Sequence, residues 1–287
     1  KQLDQRSLKI TKLNKYNNYI SIYKVMFRTK PPKKSFNFTK FKFSCDDRDT
    51  ELSQANLPST YNHMWVITAK PRQGKSTYIM NLISKQNKAS PYNRKFDRIF
   101  IFSPSMKTID DDPFEAIPEE QKFSEMTAEN LTSVYNDIQD SGERILIIAD
   151  DVVNDIKGDK EVERILTKMM MNRRHICGKN EDGDSAGISM WITTQIFNRL
   201  PRPLRASASH YTIFKTTNKK ELETIYDELI LLDKPEFKKM LDFVFDEKFN
   251  SLYINSDNEF DKMYHKNFDL ILFGEEKDKN TQFSNFD

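Results

Sequence analysis

Gly74, Lys75 and Ser76 close the octapeptide Ala69-Lys70-Pro71-Arg72-Gln73-Gly74-Lys75-Ser76, whose residue types suit the holding of a polyphosphate. A glycine lets the backbone turn so that amides face one anion, a lysine beside it brings a positive charge to phosphate oxygens, and the next hydroxyl can serve Mg2+. Ala69 stands where the pattern G-x-x-x-x-G-K-[ST] has its first glycine, so the match is to the relaxed form of that phosphate loop. The candidate nucleotide-binding segment runs from Ala69 through Lys70, Pro71, Arg72, Gln73, Gly74, Lys75 and Ser76 to Thr77.

A second constellation is Ile145-Leu146-Ile147-Ile148-Ala149-Asp150-Asp151, an apolar run that delivers two carboxylates to its end. In an open α/β sheet that end lies at the edge where ligands bind. Asp150 is the candidate metal ligand with Ser76, and Asp151 the candidate base that orients and polarises an attacking water. Asp also caps helices, but a phosphate loop upstream makes that reading the weaker one.

Periodicity supplies the scaffold for these side chains. His63 to Ala69 is a short apolar run feeding the loop, and Lys75 to Ser84 has helical spacing through Tyr78, Ile79, Leu82 and Ile83. Phe96 to Phe102, Arg144 to Ala149, Ile188 to Thr193 and His210 to Lys215 read as four more strands. Helices are expected from Thr127 (Leu131, Val134, Tyr135, Ile138), through Val162, Ile165, Leu166 and Met169, and from Asn218 with Glu221 as a capping box. The Met residues of the second helix read as core packing. Ser35 to Phe43 alternates, with every Phe on one face, and reads as a further strand. Buried strands alternating with helices predict a mostly parallel sheet covered on both faces. Past about residue 235 the chain reads as a helix and a small hairpin around Ser251 to Lys266.

Composition narrows the classes. The chain has 287 residues and a formal net charge of +2, so it fits one large α/β domain with additions. Asp4 is the only acid before Asp46, which makes residues 1–34 a basic arm; phosphate tracking and a solvated leader both suit it. Met26 opens Met-Phe-Arg-Thr-Lys, and residues 1–25 read as translated upstream sequence. Cys45 and Cys177 are far apart and support neither a disulfide framework nor a zinc site, in keeping with a reducing compartment. No apolar run is long enough to span a bilayer, and the start of the chain lacks the apolar core of a signal peptide. The expected layout is an arm over 1–34, a phosphate-loop domain over 35–232 and an acidic extension over 233–287 packed on or flanking the core.

Further residues carry a family likeness. Phe96-Asp97-Arg98-Ile99-Phe100-Ile101-Phe102-Ser103-Pro104-Ser105, Arg173-Arg174-His175, Trp191-Ile192-Thr193-Thr194-Gln195 and Leu200-Pro201-Arg202-Pro203-Leu204-Arg205 follow one another in that order. With the acidic and phosphate-loop motifs, this order resembles the packaging ATPases of the FtsK–HerA superfamily from large DNA viruses, virophages and Polinton-like viruses. The resemblance spans about Phe36 to about Ile230. It implies a three-layer α/β P-loop NTPase fold, with helices on both faces of a sheet of strand order 5-1-4-3-2. It also implies that Gln195 senses the γ-phosphate or its water. Arg205 matches an arginine that reaches a neighbouring subunit's nucleotide, with Arg173 and Arg174 as competitors. His175 and Cys177 have too few neighbouring ligands for a metal.

The function implied is ATP- and Mg2+-dependent movement of double-stranded DNA, independent of its sequence, into a capsid. The expected partners are that DNA, copies of the chain in a ring of five or six, and a capsid or portal vertex. The expected place is the host cytoplasm or a viral factory, with the virion a further location. A P-loop nucleotide kinase is the rival enzyme, and the Thr-Thr-Gln strand end argues against it. A DNA-binding scaffold without turnover is the rival from another class.

Overall fold

The computed structural model describes residues 48–84, 89–104, 114–183 and 186–273. The chain divides into two units, Lys1–Phe41 and Lys42–Asp287, and every described residue belongs to the second. The basic arm, the expected strand at 35–43 and Cys45 lie outside the described residues.

The strands are β1 (Met64–Thr68), β2 (Arg98–Phe102), β3 (Lys122–Phe123), β4 (Arg144–Ala149), β5 (Gly187–Thr194), β6 (His210–Phe214), β7 (Ser251–Asn255), β8 (Tyr264–Lys266) and β9 (Asp269–Leu270). They form one sheet in the order β3-β2-β4-β5-β1-β6-β7-β8-β9. Neighbours from β3 to β6 are parallel, and β7, β8 and β9 add on antiparallel. The five strands expected for the phosphate-loop domain, β1, β2, β4, β5 and β6, stand in the order 5-1-4-3-2, with β5 between β1 and β4. All of their C-terminal ends therefore open on one edge.

The helices are α1 (Thr50–Gln54), α2 (Lys75–Ile83), α3 (Ala128–Ile138), α4 (Val153–Gly158), α5 (Lys160–Asn172), α6 (Arg202–Ser207), α7 (Lys219–Leu229) and α8 (Lys234–Val244). Alternation along each strand sorts its side chains between two cores. Met64 and Val66 of β1, Ile145 and Ile147 of β4, and Met190 and Ile192 of β5 pack with Leu131, Leu166, Leu204, Ile225 and Met240 from α3, α5, α6, α7 and α8. Trp65 and Ile67, Leu146 and Ile148, and Trp191 point the other way, onto Leu52 of α1 and Ile79, Leu82 and Ile83 of α2. That is three layers. Each such side chain, once fully buried, contributes about 1.5–3 kcal/mol from removal of apolar surface. Met169 and Met170 are fully buried, as a core role requires, while Met171 is exposed.

Three local features depart from the expectations drawn from sequence. β3 and α4 arise in stretches with no clear period: β3 is a two-residue edge pairing, and α4 starts directly after Asp151 and Val152. Asn218 accepts from Glu221 N at 3.4 Å, but Glu221 does not reach back, so the expected capping box is only half made. The Glu221 carboxylate is buried and bonds Phe197 and Thr216 instead. Asp233 and Glu236 make the full box, at the start of α8. The hairpin expected around 251–266 is β7 and β8, and β7 pairs with β6, so these residues of the extension continue the sheet.

Candidate active site

The loop between β1 and α2 is shaped by side chains as much as by glycine. Gly74 has φ of 84° and Arg72 φ of 65°, the left-handed conformations that turn the chain back toward the helix. Gln73 braces the turn: its Oε1 accepts from Lys70 N at 2.9 Å and its Nε2 donates to Lys215 O at 2.7 Å, anchoring the loop to the end of β6. Lys70 Nζ donates to Thr217 Oγ1 at 3.3 Å. Ala69 is not among the positive-φ residues, and its Cβ packs in the core, so this loop has no need of a glycine there. Ser76 and Thr77 stand exposed on the first turn of α2, where free amides and the helix dipole favour an anion.

Two carboxylates face this loop. Asp150 is buried at the end of β4; its Oδ1 accepts from Thr193 Oγ1 at 2.6 Å and its Oδ2 from Ser103 Oγ at 3.1 Å. Asp151 has φ of 56°, and its N donates to Thr193 Oγ1 at 3.1 Å. This left-handed step turns the second carboxylate out of the strand toward the loop. Lys75 Nζ lies 2.5 Å from Asp151 Oδ2 and 3.3 Å from Asp150 Oδ1. Gln195 leaves β5 and donates through Nε2 to Asp151 Oδ2 at 3.4 Å. Lys75, Asp150, Asp151 and Gln195 thus meet at one point of the sheet edge, with Ser76 beside Lys75.

Some of the residues that build this point are not legible as functional in the sequence. Thr193 ties the two aspartates together, Ser103 holds Asp150 from β2, and Gln73 sets the loop. Glu221 accepts from Phe197 N at 2.8 Å and from Thr216 Oγ1 at 2.6 Å, pinning the chain just after Gln195 to the start of α7. Thr193 and Ser103 belong to the motifs that carry the family likeness, but nothing in their spacing reveals the bond to Asp150.

The residues fit a nucleotide with Mg2+. Lys75 Nζ is buried and, although at ion-pair distance from the carboxylates, makes no hydrogen bond of good angle; Thr68 Oγ1, at the end of β1, is a buried hydroxyl without a partner among the described residues. Among the described residues no three His, Cys, Asp or Glu side chains are grouped to chelate a metal alone. Asp150 and the Ser76 hydroxyl are hard oxygen donors of the kind Mg2+ takes alongside water and phosphate.

Arg205 is engaged within its own chain. Its guanidinium is buried and makes a two-pronged pair with Glu228 of α7, Nε to Oε2 at 2.8 Å and Nη2 to Oε1 at 2.6 Å, and donates to Leu200 O. It also lies over the Phe197 ring. Arg173 is likewise tied down, donating to Asn62 O at 2.5 Å and Met170 O at 2.9 Å. Its carbonyl accepts from Ile188 N, which sets Arg173 and Arg174 at the start of β5. β5 puts them roughly 20 Å from the edge that carries Lys75. Arg199 and Arg202, by contrast, are exposed and follow Gln195 at that edge. His175 is exposed, and Cys177 is a buried thiol pushed up to about 12 by burial, an inert packing residue.

The parallel sheet, with the phosphate loop and paired aspartates at its edge, makes this a P-loop NTPase-like α/β domain. The same fold occurs in B204, the DNA-packaging ATPase from Sulfolobus Turreted Icosahedral Virus, at TM-score 0.51 and 15% identity over 71% of this chain and 98% of that one. It occurs also in the genome packaging NTPase B204 from Sulfolobus turreted icosahedral virus 2 in complex with sulfate, at TM-score 0.50 and 11% identity over 74% and 98%. No family model and no curated protein matches the sequence. At these identities the likeness is one of fold, that of a P-loop NTPase-like α/β domain.

Proposed function

We propose that the chain is an ATP-hydrolysing motor that moves double-stranded viral DNA into a capsid. The observation that carries this reading is the meeting of Lys75, Asp150, Asp151 and Gln195 at one sheet edge, with β5 between β1 and β4. On nucleotide binding, Lys75 exchanges its carboxylate partners for β and γ oxygens, while amides of Gly74 to Thr77 surround the phosphates. Ser76 and Asp150 would hold Mg2+, which when bound would supply neutralisation of charge on the phosphates. Released from Lys75, Asp151 accepts a hydrogen bond from the attacking water, and Gln195 fixes that water in line with the γ-phosphorus. Water bonds to that phosphorus, its proton passing to Asp151, as the bond from phosphorus to the bridging oxygen breaks, giving ADP and phosphate; positioning and charge neutralisation supply most of the acceleration.

A motor must move over any sequence, so contacts go to phosphates and weaken with salt. Several sites must fire in turn, which calls for a ring of five or six copies seated on a capsid or portal vertex, in the host cytoplasm, a viral factory or the virion. The arginine given to the neighbouring site is then Arg199, exposed just past Gln195. The deciding measurement is ATP turnover with and without duplex DNA. Stimulation by DNA of any sequence supports the motor; turnover only with a nucleotide acceptor shows a kinase, and none at all a scaffold. For Arg199, mixing Arg199→Ala with Lys75→Ala subunits is expected to restore part of the activity that each lacks alone.

A further inference from the structure

We infer that Phe249 is the platform on which the purine base of the bound nucleotide stacks, a conclusion that rests on the P-loop reading of the site. A Cβ at Gly74 would meet Phe249 Cδ1 at 3.4 Å, so the ring stands against the flank of the phosphate loop. Phe249 is 55% exposed, although a phenylalanine with a free choice of rotamer gains by burial. Its backbone is at φ of 72°, a conformation that a residue with a bulky side chain avoids. Strain and exposure coincide in one residue, and the surroundings hold it there. Asp246 takes both Lys266 Nζ, at 2.6–2.7 Å, and Asn250 Nδ2 at 2.9 Å, and Asn267 Nδ2 donates to Asn250 Oδ1 at 3.0 Å. Lys215, whose carbonyl anchors Gln73, donates through Nζ to Phe245 O at 3.4 Å, so the turn and the phosphate loop share one support.

The direction of the nucleotide is set by the site. The carboxylates and Gln195 lie on the β4 and β5 side of the loop and define its γ-phosphate end. A nucleoside on the other end of the triphosphate leaves toward the opposite flank, that of β6 and β7, where Phe249 stands in the turn just before β7. Lys248 Nζ lies over one face of the Phe249 ring, 4.6 Å from its centre, which leaves the base the opposite face. Stacking reads a π face and not an edge, and purines offer the larger face, so ATP and GTP are held alike and better than CTP.

The test compares MgATP with magnesium tripolyphosphate, which keeps the phosphates and lacks the base. Phe249→Ala is expected to weaken ATP binding about tenfold and to leave tripolyphosphate binding unchanged, the loss of one base–aromatic stack. Phe249→Trp is expected to keep ATP affinity, its fluorescence quenched by ATP and not by tripolyphosphate. Phe249→Gly is expected to raise Tm by relieving the backbone while losing the same ATP affinity as the alanine variant. If Phe249→Ala weakens both ligands equally, or tightens both because the ring obstructs the loop, the base platform is wrong. If wild type binds both ligands, Lys75→Ala neither, and Phe249→Ala both as wild type does, the platform alone falls. If wild type binds neither ligand, the P-loop reading itself fails and takes the platform with it.

Discussion

Lys75 Nζ sits 2.5 Å from Asp151 Oδ2, so the cation read as a phosphate ligand and the carboxylate read as a base neutralise one another. With Asp150 at 3.3 Å, one buried ammonium is shared between two carboxylates. The arrangement holds both functional groups in place and makes each depend on the other.

Lys75→Ala is expected to reduce ATP turnover by at least about a hundredfold, the scale for removing one charged donor from a developing anion. The far-UV circular dichroism should stay that of wild type. In EDTA the variant should melt at a lower temperature, because Asp150 and Asp151 lose their shared cation. Turnover near wild type would show that Lys75 does not meet the phosphates.

The two aspartates should separate by phenotype. Asp151→Asn is expected to bind ATP as wild type does and to lose turnover by about 10²–10⁴-fold, the range for a general base. Asp150→Asn is expected to raise the Mg2+ concentration needed for binding. It should change stability by no more than about 1 kcal/mol, since the amide oxygen can accept from one of the Thr193 and Ser103 hydroxyls while its nitrogen donates to the other. Equal, mild effects at the two positions would refute these roles; binding titrations across Mg2+ concentration and thermal melts decide.

Arg205→Ala is expected to act through stability. Removing it leaves Glu228, whose side chain is 28% exposed, without its partner, which costs about 2–3 kcal/mol after allowing for solvent at that carboxylate. In a domain of this size that is a fall in Tm of roughly 5–10 °C. Glu228→Ala should cost a similar amount, and the double variant less than the sum. Rescue of Arg205→Ala by Lys75→Ala subunits in mixed rings would instead return Arg205 to the neighbouring site.

Acid should weaken the fold before most carboxylates titrate. Burial holds His63 down from 6.5 to about 4, with Arg173 nearby acting in the same direction; its Nε2 accepts from Trp191 Nε1 at 2.8 Å, a bond only the neutral ring makes. His210, buried against Tyr253, is also lowered, by burial first and then by His63. The folded pKa is depressed, so between about 4 and 6.5 the unfolded chain binds a proton that the folded chain does not. Stability from this group is therefore complete above 6.5 and lost as pH falls toward 4, about 3 kcal/mol for His63. Melting curves from pH 7.5 down to pH 4 should show this slope, and His63→Gln should flatten it.

The order of the five main strands and of the longer helices between them, and the two motifs that mark the site, were legible along the chain, because each is a local pattern. Short, Ile-rich apolar runs such as Ile145 to Ala149 read as buried strands, and in a parallel sheet the residues just past such a run emerge at the ligand edge. Gly74, Lys75 and Ser76 announce their chemistry by type and adjacency. Pairing across elements has no such signature. Arg205 looks like a free arginine after a turn until α7 brings Glu228 against it, and Glu221 looks like half of a capping box until Phe197 and Thr216 claim its carboxylate. Thr193 reads as one more β-branched strand residue until β5 lies between β1 and β4 and its hydroxyl meets both aspartates. β7 gives no sign in its sequence that it joins β6, and that pairing sets Phe249 beside Gly74. Periodicity records which face a residue turns to the core, whereas partner and reach are decided only when separate elements pack, because the energy of a buried polar pair depends on where both of its groups come to rest.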